Sequence, residues 1–128
     1  QATNKTIGLA AARRGAESLQ EMPGIITPFP GGVARSGSKV GSKYKQLIAS
    51  TADAYCPSLR GRVDCKLHPE ANCAYEIVVD GVDEPAVAKA MATAMQAIAA
   101  EDIVRITAGN YGGKLGKYHF HLHQLLET

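Results

Sequence analysis

The sequence predicts an α+β fold: a two-layer α/β sandwich of the ferredoxin-like kind, with a mainly antiparallel sheet and helices on one face. Three observations carry that expectation. Two stretches repeat apolar residues at helical spacing, and several short stretches alternate apolar and polar residues at strand spacing. The chain has 128 residues, 45% of them hydrophobic and 20% charged. That length and balance suit a single lobe over 1–128 with a packed core, and exclude a disordered tail or a fibre. With two phenylalanines, five tyrosines and no tryptophan, the core must be aliphatic and rich in alanine.

The elements follow in order. Leu9, Ala12, Ala16 and Leu19 recur at three- and four-residue steps, with Arg13, Arg14, Glu17 and Glu21 between them. This spacing predicts an amphipathic helix ended by Pro23-Gly24. A short apolar piece, Ile25-Ile26-Thr27, runs into Pro28-Phe29-Pro30-Gly31-Gly32, which reads as a turn or loop and not as helix. Residues 36–42, SGSKVGS, form a second small-residue stretch. Residues 44–51 are expected to be a strand, and 56–73, with two prolines, an extended loop. Tyr75, Ile77 and Val79 alternate with Glu76, Val78 and Asp80, which is strand periodicity.

Asp83 can cap a following helix, with Glu84 and Pro85 tolerated in its first turn. Val87, Met91, Met95 and Ile98 form a stripe along it, and the surrounding alanines let it lie close to a sheet. Residues 103–107 are β-branched and read as strand. Residues 109–116 form a glycine-rich turn. Tyr118, Phe120 and Leu122 then alternate with His119, His121 and His123 in a last strand.

Several function classes are disfavoured by composition. Fourteen Lys+Arg against twelve Asp+Glu give a net charge of +2, which argues for neither nucleic acid nor a membrane surface. The apolar runs are too short to span a bilayer, and nothing marks secretion. Cys56, Cys65 and Cys73 form no CxxC pair and no zinc-finger spacing, so three ordinary thiols in a reducing cytoplasm are expected. The chain begins at Gln1 and is read as a fragment.

Three features invite chemistry. The glycine stretches fail as phosphate loops, because Gly113-Lys114 has Ala108 where the first glycine of a Walker loop belongs, and Leu115 where its hydroxyl belongs. Lys39, Lys43, Lys45, Lys114 and Lys117 beside small residues could hold the anionic ends of an extended substrate, and tight turns with solvated lysines stand as the equal alternative. On a strand, the three histidines would stand in a row about 6.5–7 Å apart, too spread for one ion, so a solvent or interface role is preferred and no metal is expected. Glu76 is the third feature. If Tyr75, Ile77 and Val79 pack under the helices, Glu76 points to the opposite face, where burial would favour the neutral acid over the carboxylate. Composition alone favours a solvated outward residue.

The same segments carry a family resemblance. Residues 24–44 (GIITPFPGGVARSGSKVGSKY), 74–84 (AYEIVVDGVDE) and 106–125 (ITAGNYGGKLGKYHFHLHQL), together with Cys56-Pro57-Ser58-Leu59-Arg60, resemble the carboxy-terminal half of the formylmethanofuran–tetrahydromethanopterin formyltransferases. The resemblance implies a longer enzyme of two similar α/β lobes, the amino-terminal one absent here, assembled into homo-oligomers. It implies transfer of a formyl group between formylmethanofuran and N5 of tetrahydromethanopterin, both of them substrates, with no tightly bound cofactor. In methylotrophs it also implies other subunits, those of a formyltransferase/hydrolase complex. The catalytic glutamate proposed for the family falls on Glu76. The expected substrate-binding residues are Phe29, Ser36, Ser38, Lys39, Lys43, Asn110 and Tyr111. Two rivals remain: a non-catalytic lobe that binds coenzyme or mediates subunit assembly, and a small regulatory domain of the same architecture.

Overall fold

The computed structural model describes residues 1–35, 67–100, 102–108 and 117–127. Helix α1 runs Lys5–Glu17. Asn4 caps it, its side-chain oxygen accepting from the Ile7 N–H at 2.9 Å and so satisfying one orphan donor of the first turn. The buried residues of this helix are Gly8, Ala11, Ala12, Gly15 and Ala16, with Leu19 buried just beyond its end. Ala12, Ala16 and Leu19 were expected inside. Leu9 is only half-buried, because the inner stripe is centred on the two glycines. Helical hydrogen bonding stops six residues before Pro23-Gly24, and single turns closed by Leu19 N–H to Ala16 O (3.1 Å) and Met22 N–H to Leu19 O (3.2 Å) carry the chain on.

Small residues on that stripe bring α1 close to its neighbours. A Cβ built on Gly8 would lie 2.7 Å from Cys73 Sγ and 3.0 Å from Tyr75 Cε2. One built on Gly15 would lie 2.7 Å from Ile98 Cγ1 and 2.8 Å from Ile77 Cδ1. Each glycine lowers helix propensity by about 1 kcal/mol relative to alanine, so the close packing it permits must offset that cost.

The strands are short. β1 (Ile25–Ile26) pairs antiparallel with β4 (Asp80–Gly81), Ile25 opposite Gly81 and Ile26 opposite Asp80. β2 (Ala34–Arg35) pairs antiparallel with β3 (Tyr75–Glu76), Ala34 opposite Glu76 and Arg35 opposite Tyr75. The TPFPGG segment joins β1 to β2 through a single 3₁₀ turn, Pro30–Gly32, where no helix was expected. Gly31 and Gly32 have φ of 69° and 78°, and a Cβ on Gly32 would lie 2.8 Å from Ala16 Cβ, so this turn rests on α1.

The inner face expected of Tyr75, Ile77 and Val79 is present, and Gly81 continues it. Tyr75 lies on Gly8, Ile77 on Gly15, and Gly81 against Val87. Ile77 and Val79 also join Met22 and Ile25 around the buried cluster of Leu19, Ala90 and Ala94. Glu76, Val78, Asp80 and Val82 therefore turn to the other face, with Ile26 beside them across the ladder. On that face Ile26 is 64% and Val82 78% exposed. The run is not one continuous strand, because its two ends pair with different partners and 77–79 join neither ladder.

Helix α2, Glu84–Ile98, begins as the sequence predicts. The Asp83 carboxylate accepts from the Ala86 N–H at 2.8 Å, and Pro85 lies in the first turn. Ala90, Ala94 and Met95 are its buried residues. Its far end is capped from α1: Arg14 donates from Nε to Ala97 O (3.1 Å) and from Nη2 to Ile98 O (3.2 Å). These are carbonyls that the helix itself leaves unpaired.

Two expected strands are absent from the described residues. In 103–107 only Ile103 makes a bridge, to Ala2, and Val104 N–H donates to Gln1 O at 2.9 Å. Beyond Arg105 no strand among the described residues runs alongside, so β-branched propensity alone does not build a strand there. The predicted last strand, 118–123, is instead coil over 118–121 leading into a short helix, α3 (Leu122–Leu126), packed against α2. Tyr118 is 46% exposed and not core. Leu122, Gln124, Leu125 and Leu126 are strong helix formers, and that local preference prevails over the two-residue alternation. The strand expected at 44–51 lies outside the described residues. The architecture is α+β, with small antiparallel ladders and helices.

Asp83→Ala is expected to destabilise the protein by about 1 kcal/mol, while Asp83→Asn retains most of the cap. Urea midpoints at constant slope measure the difference.

Candidate active site

Glu76 is the second residue of β3, opposite Ala34, and is half-buried. Its strand is pinned just upstream. Ala2 N–H donates to Cys73 O at 3.2 Å and Cys73 N–H to Ala2 O at 3.3 Å. The Cys73 thiol donates to Asn4 O at 3.1 Å, tying the strand to the cap of α1. Cys73 is 1% exposed, and burial pushes its thiol above the ordinary value of 9.0. It is therefore a neutral packing group near neutral pH and not a nucleophile.

Downstream of Glu76 the face opens, with Val78 half-buried, Val82 and Ile26 exposed, and the exposed Asp80 carboxylate between them opposite Ile26. A mid-strand carboxyl there combines a hydrogen-bond acceptor with, when protonated, a donor, set beside apolar surface that a ligand or another chain segment can cover.

Phe29 lies just ahead of the 3₁₀ turn that leads into β2, the strand paired with Glu76. Its side chain is 7% exposed, so within this lobe it is a packing residue that holds the TPFPGG turn down. Ser36, Ser38, Lys39 and Lys43 follow β2 directly in the sequence and lie outside the described residues, as do Asn110 and Tyr111. Of the expected site residues the structure describes Glu76 and Phe29, and it sets Glu76 opposite Ala34 in the β2–β3 ladder.

His119, His121 and His123 are exposed and do not share a strand face. His119 and His121 border a groove of about 370 Å³ against Glu84, Pro85 and Ala88 of α2, floored by Phe120 and Leu125. A second groove of about 470 Å³ lies between the end of α1 and α2, lined by Glu17, Glu21, Met22, Lys89 and Thr93. Glu76 borders neither groove. Sequence reasoning passed over Gly8 and Gly15, although two glycines seven residues apart inside an amphipathic helix signal a close approach along one face.

The chain is similar to known proteins over nearly its whole length. Residues 1–125 match the family described as FTR, proximal lobe. The formylmethanofuran–tetrahydromethanopterin formyltransferase of Rhodopirellula baltica is 52% identical over 120 residues, which are 91% of this chain and 36% of that protein. The same-named protein of Methylococcus capsulatus is 52% identical over 122 residues, 92% of this chain and 41% of its own length. A component of the formyltransferase/hydrolase complex from Methylorubrum extorquens is 49% identical over 123 residues, 93% of this chain and 40% of that component. Among solved structures, the Methanosarcina barkeri formyltransferase superimposes with a TM-score of 0.80 at 41% identity, covering 98% of this chain and 43% of that one. The formyltransferase/hydrolase complex of Methylorubrum extorquens, solved with methylofuran, superimposes with a TM-score of 0.79 at 46% identity, covering 98% of this chain and 42% of the matched chain. This chain thus spans well under half the length of these relatives.

The Cys73 thiol yields a direct test. In the folded protein Cys73 is expected to resist alkylation that modifies it readily in urea, as peptide mapping will show. Because folding raises the thiol, its stabilising contribution is complete below the unfolded value of 9.0 and is lost as pH rises through the folded value. Stability of the native protein should therefore fall more steeply above pH 9 than that of Cys73→Ala.

Proposed function

The chain belongs to the family of the FTR proximal lobe, and from that premise we propose that it is the carboxy-terminal lobe of an enzyme transferring a formyl group between formylmethanofuran and N5 of tetrahydromethanopterin. The single observation supporting this reading is identity of about half over nearly the whole chain to proteins of that name. The lobe would have the ferredoxin-like two-layer form in the full-length protein, which would work in the cytoplasm as a homo-oligomer. Other subunits of a formyltransferase/hydrolase complex are proposed as partners, as in the Methylorubrum extorquens complex.

The proposed chemistry uses Glu76 as the acid. N5 of the pterin attacks the formyl carbon of the formamide as the neutral amine. The new C–N bond gives a tetrahedral adduct, and the carbonyl electrons move to oxygen. The protonated Glu76 carboxyl donates to this developing oxyanion and then passes its proton to the methanofuran nitrogen. The old C–N bond breaks, the alkyl amine leaves protonated, and Glu76 recovers a proton from N5. A donor at the oxyanion contributes about 3–4 kcal/mol in comparable acyl transfers. Lys39 and Lys43 are proposed to attract the anionic tails of the coenzymes. Ser36, Ser38, Asn110 and Tyr111 are proposed as polar substrate contacts, with Phe29 supporting the TPFPGG turn ahead of Ser36.

The alternative reading, a lobe that binds coenzyme or mediates subunit assembly without turnover, is favoured by one observation: the chain covers only 36% and 41% of two named relatives. Formyl transfer assayed on the 128-residue chain and on the full-length protein separates the two.

In the full-length protein Glu76→Gln is expected to lower kcat by about 10²–10³ with little change in KM, because the lost interaction forms only in the transition state. Unchanged turnover removes Glu76 from the reaction. Lys39→Gln and Lys43→Gln are expected to raise KM and flatten its dependence on salt, read from KM between low and high ionic strength.

A further inference from the structure

We propose that Gly8 is a positioning residue for Glu76: its missing side chain lets α1 close onto Cys73 and Tyr75, and that contact sets where the next carboxyl stands. The inference rests on the reading of Glu76 as the acid of formyl transfer. Gly8 is buried inside α1, where alanine would form the helix better, so the reason for glycine here is space. The space is occupied. A Cβ at position 8 would stand 2.7 Å from Cys73 Sγ and 3.0 and 3.2 Å from Cε2 and Cδ2 of Tyr75.

Neither neighbour can yield cheaply. Cys73 is 1% exposed, its thiol bonds to Asn4 O, and its backbone pairs in both directions with Ala2. Tyr75 is held in register opposite Arg35. Gly15 differs, because it faces Cγ1 and Cδ1 of Ile98 and Cδ1 of Ile77, which belong to flexible aliphatic chains, where Gly8 faces a hydrogen-bonded thiol and a rigid ring. Filling position 8 therefore has to part α1 from β3. Glu76 follows Tyr75 with no intervening residue, and both belong to the same two-residue ladder. A shift of the tyrosine backbone is a shift of the carboxyl. A misplacement of about 1 Å at reacting groups costs about 10²-fold in rate, while substrate contacts elsewhere are left in place.

The test measures kcat, KM and melting temperature for the full-length enzyme as wild type, Gly8→Ala, Glu76→Gln, the double variant and Met95→Ala. Gly8→Ala is expected to lower kcat about ten- to a hundredfold with KM within about twofold. In the Glu76→Gln background the same change should remove nothing further, because the two residues act as one unit. Met95→Ala, which empties a buried position on α2, should lower the melting temperature and leave kcat unchanged. An equal fold-loss from Gly8→Ala in both backgrounds overturns the proposal, as does wild-type kcat in a folded Gly8→Ala protein. If Gly8→Ala does not fold, Tyr75→Leu empties the same contact and enters the same cycle. Its kcat loss must vanish in the Glu76→Gln background, and persistence there overturns the proposal. Wild-type turnover of Glu76→Gln alone would instead remove the acid reading. An impaired Glu76→Gln with additive Gly8→Ala keeps that reading and removes the positioning role.

Discussion

The close approach of α1 to the strand run at 73–77 is the contact on which the rest of the lobe depends. Gly8, Ala11, Ala12, Gly15 and Ala16 form a nearly smooth helix face. Cys73, Tyr75, Ile77 and Ile98 fill the space that larger side chains would occupy. Dispersion contacts fall off steeply with distance, so a helix lying this close gains many of them along its length. The two glycines reduce helix propensity by about 1 kcal/mol each, which is tolerable only because the packed partner supplies the compensating contacts. The core of an alanine-rich chain with few rings is built in this way, from proximity in place of bulk.

The remaining elements follow from that contact. Arg14, on the polar side of the same helix, reaches the last carbonyls of α2 and ties the two helices end to side. Gly32 sits on Ala16, so the TPFPGG turn is laid down on α1 before it delivers β2 to the edge of β3. The ladder hydrogen bonds are few, and the strands are held in place chiefly by what lies beneath them. This explains why an alternating run from Tyr75 to Val82 can have a uniform inner face while pairing with two different strands.

Glu76 owes its setting to the same arrangement. Its odd-numbered neighbours face the helices, so the carboxyl turns toward a face that carries Val78, Asp80, Val82 and Ile26, half-buried near Glu76 and exposed from Asp80 on. The face on which the carboxyl lies was legible in the sequence because strand periodicity sends alternate residues to opposite sides; its half-burial was not, since composition favoured a solvated residue there. The apolar surroundings were only partly legible. Ile26 comes from a strand far away in the chain, and its place opposite Asp80 depends on ladder register. The positions of Ser36, Ser38, Lys39 and Lys43 were legible as composition only, since glycine- and serine-rich segments carry no periodic signal from which placement can be read.

Local chemistry in the chain determined the helix at 84–98, with its Asp83 cap, the turn at TPFPGG, the inner face of Tyr75, Ile77 and Val79 and the kinship from Gly24 onward, whereas the end of α1 at Glu17 lay ahead of the Pro23-Gly24 signal. Each of these rests on interactions between residues close in sequence, or on motifs long enough to be distinctive. Tertiary structure decided the rest. It left 106–107 outside the described ladders and divided one strand-like run between two of them, whereas α3 follows from a local helix preference that the two-residue alternation concealed. A strand exists only where another strand runs beside it, and the identity of that neighbour is a property of the folded chain that no local window contains.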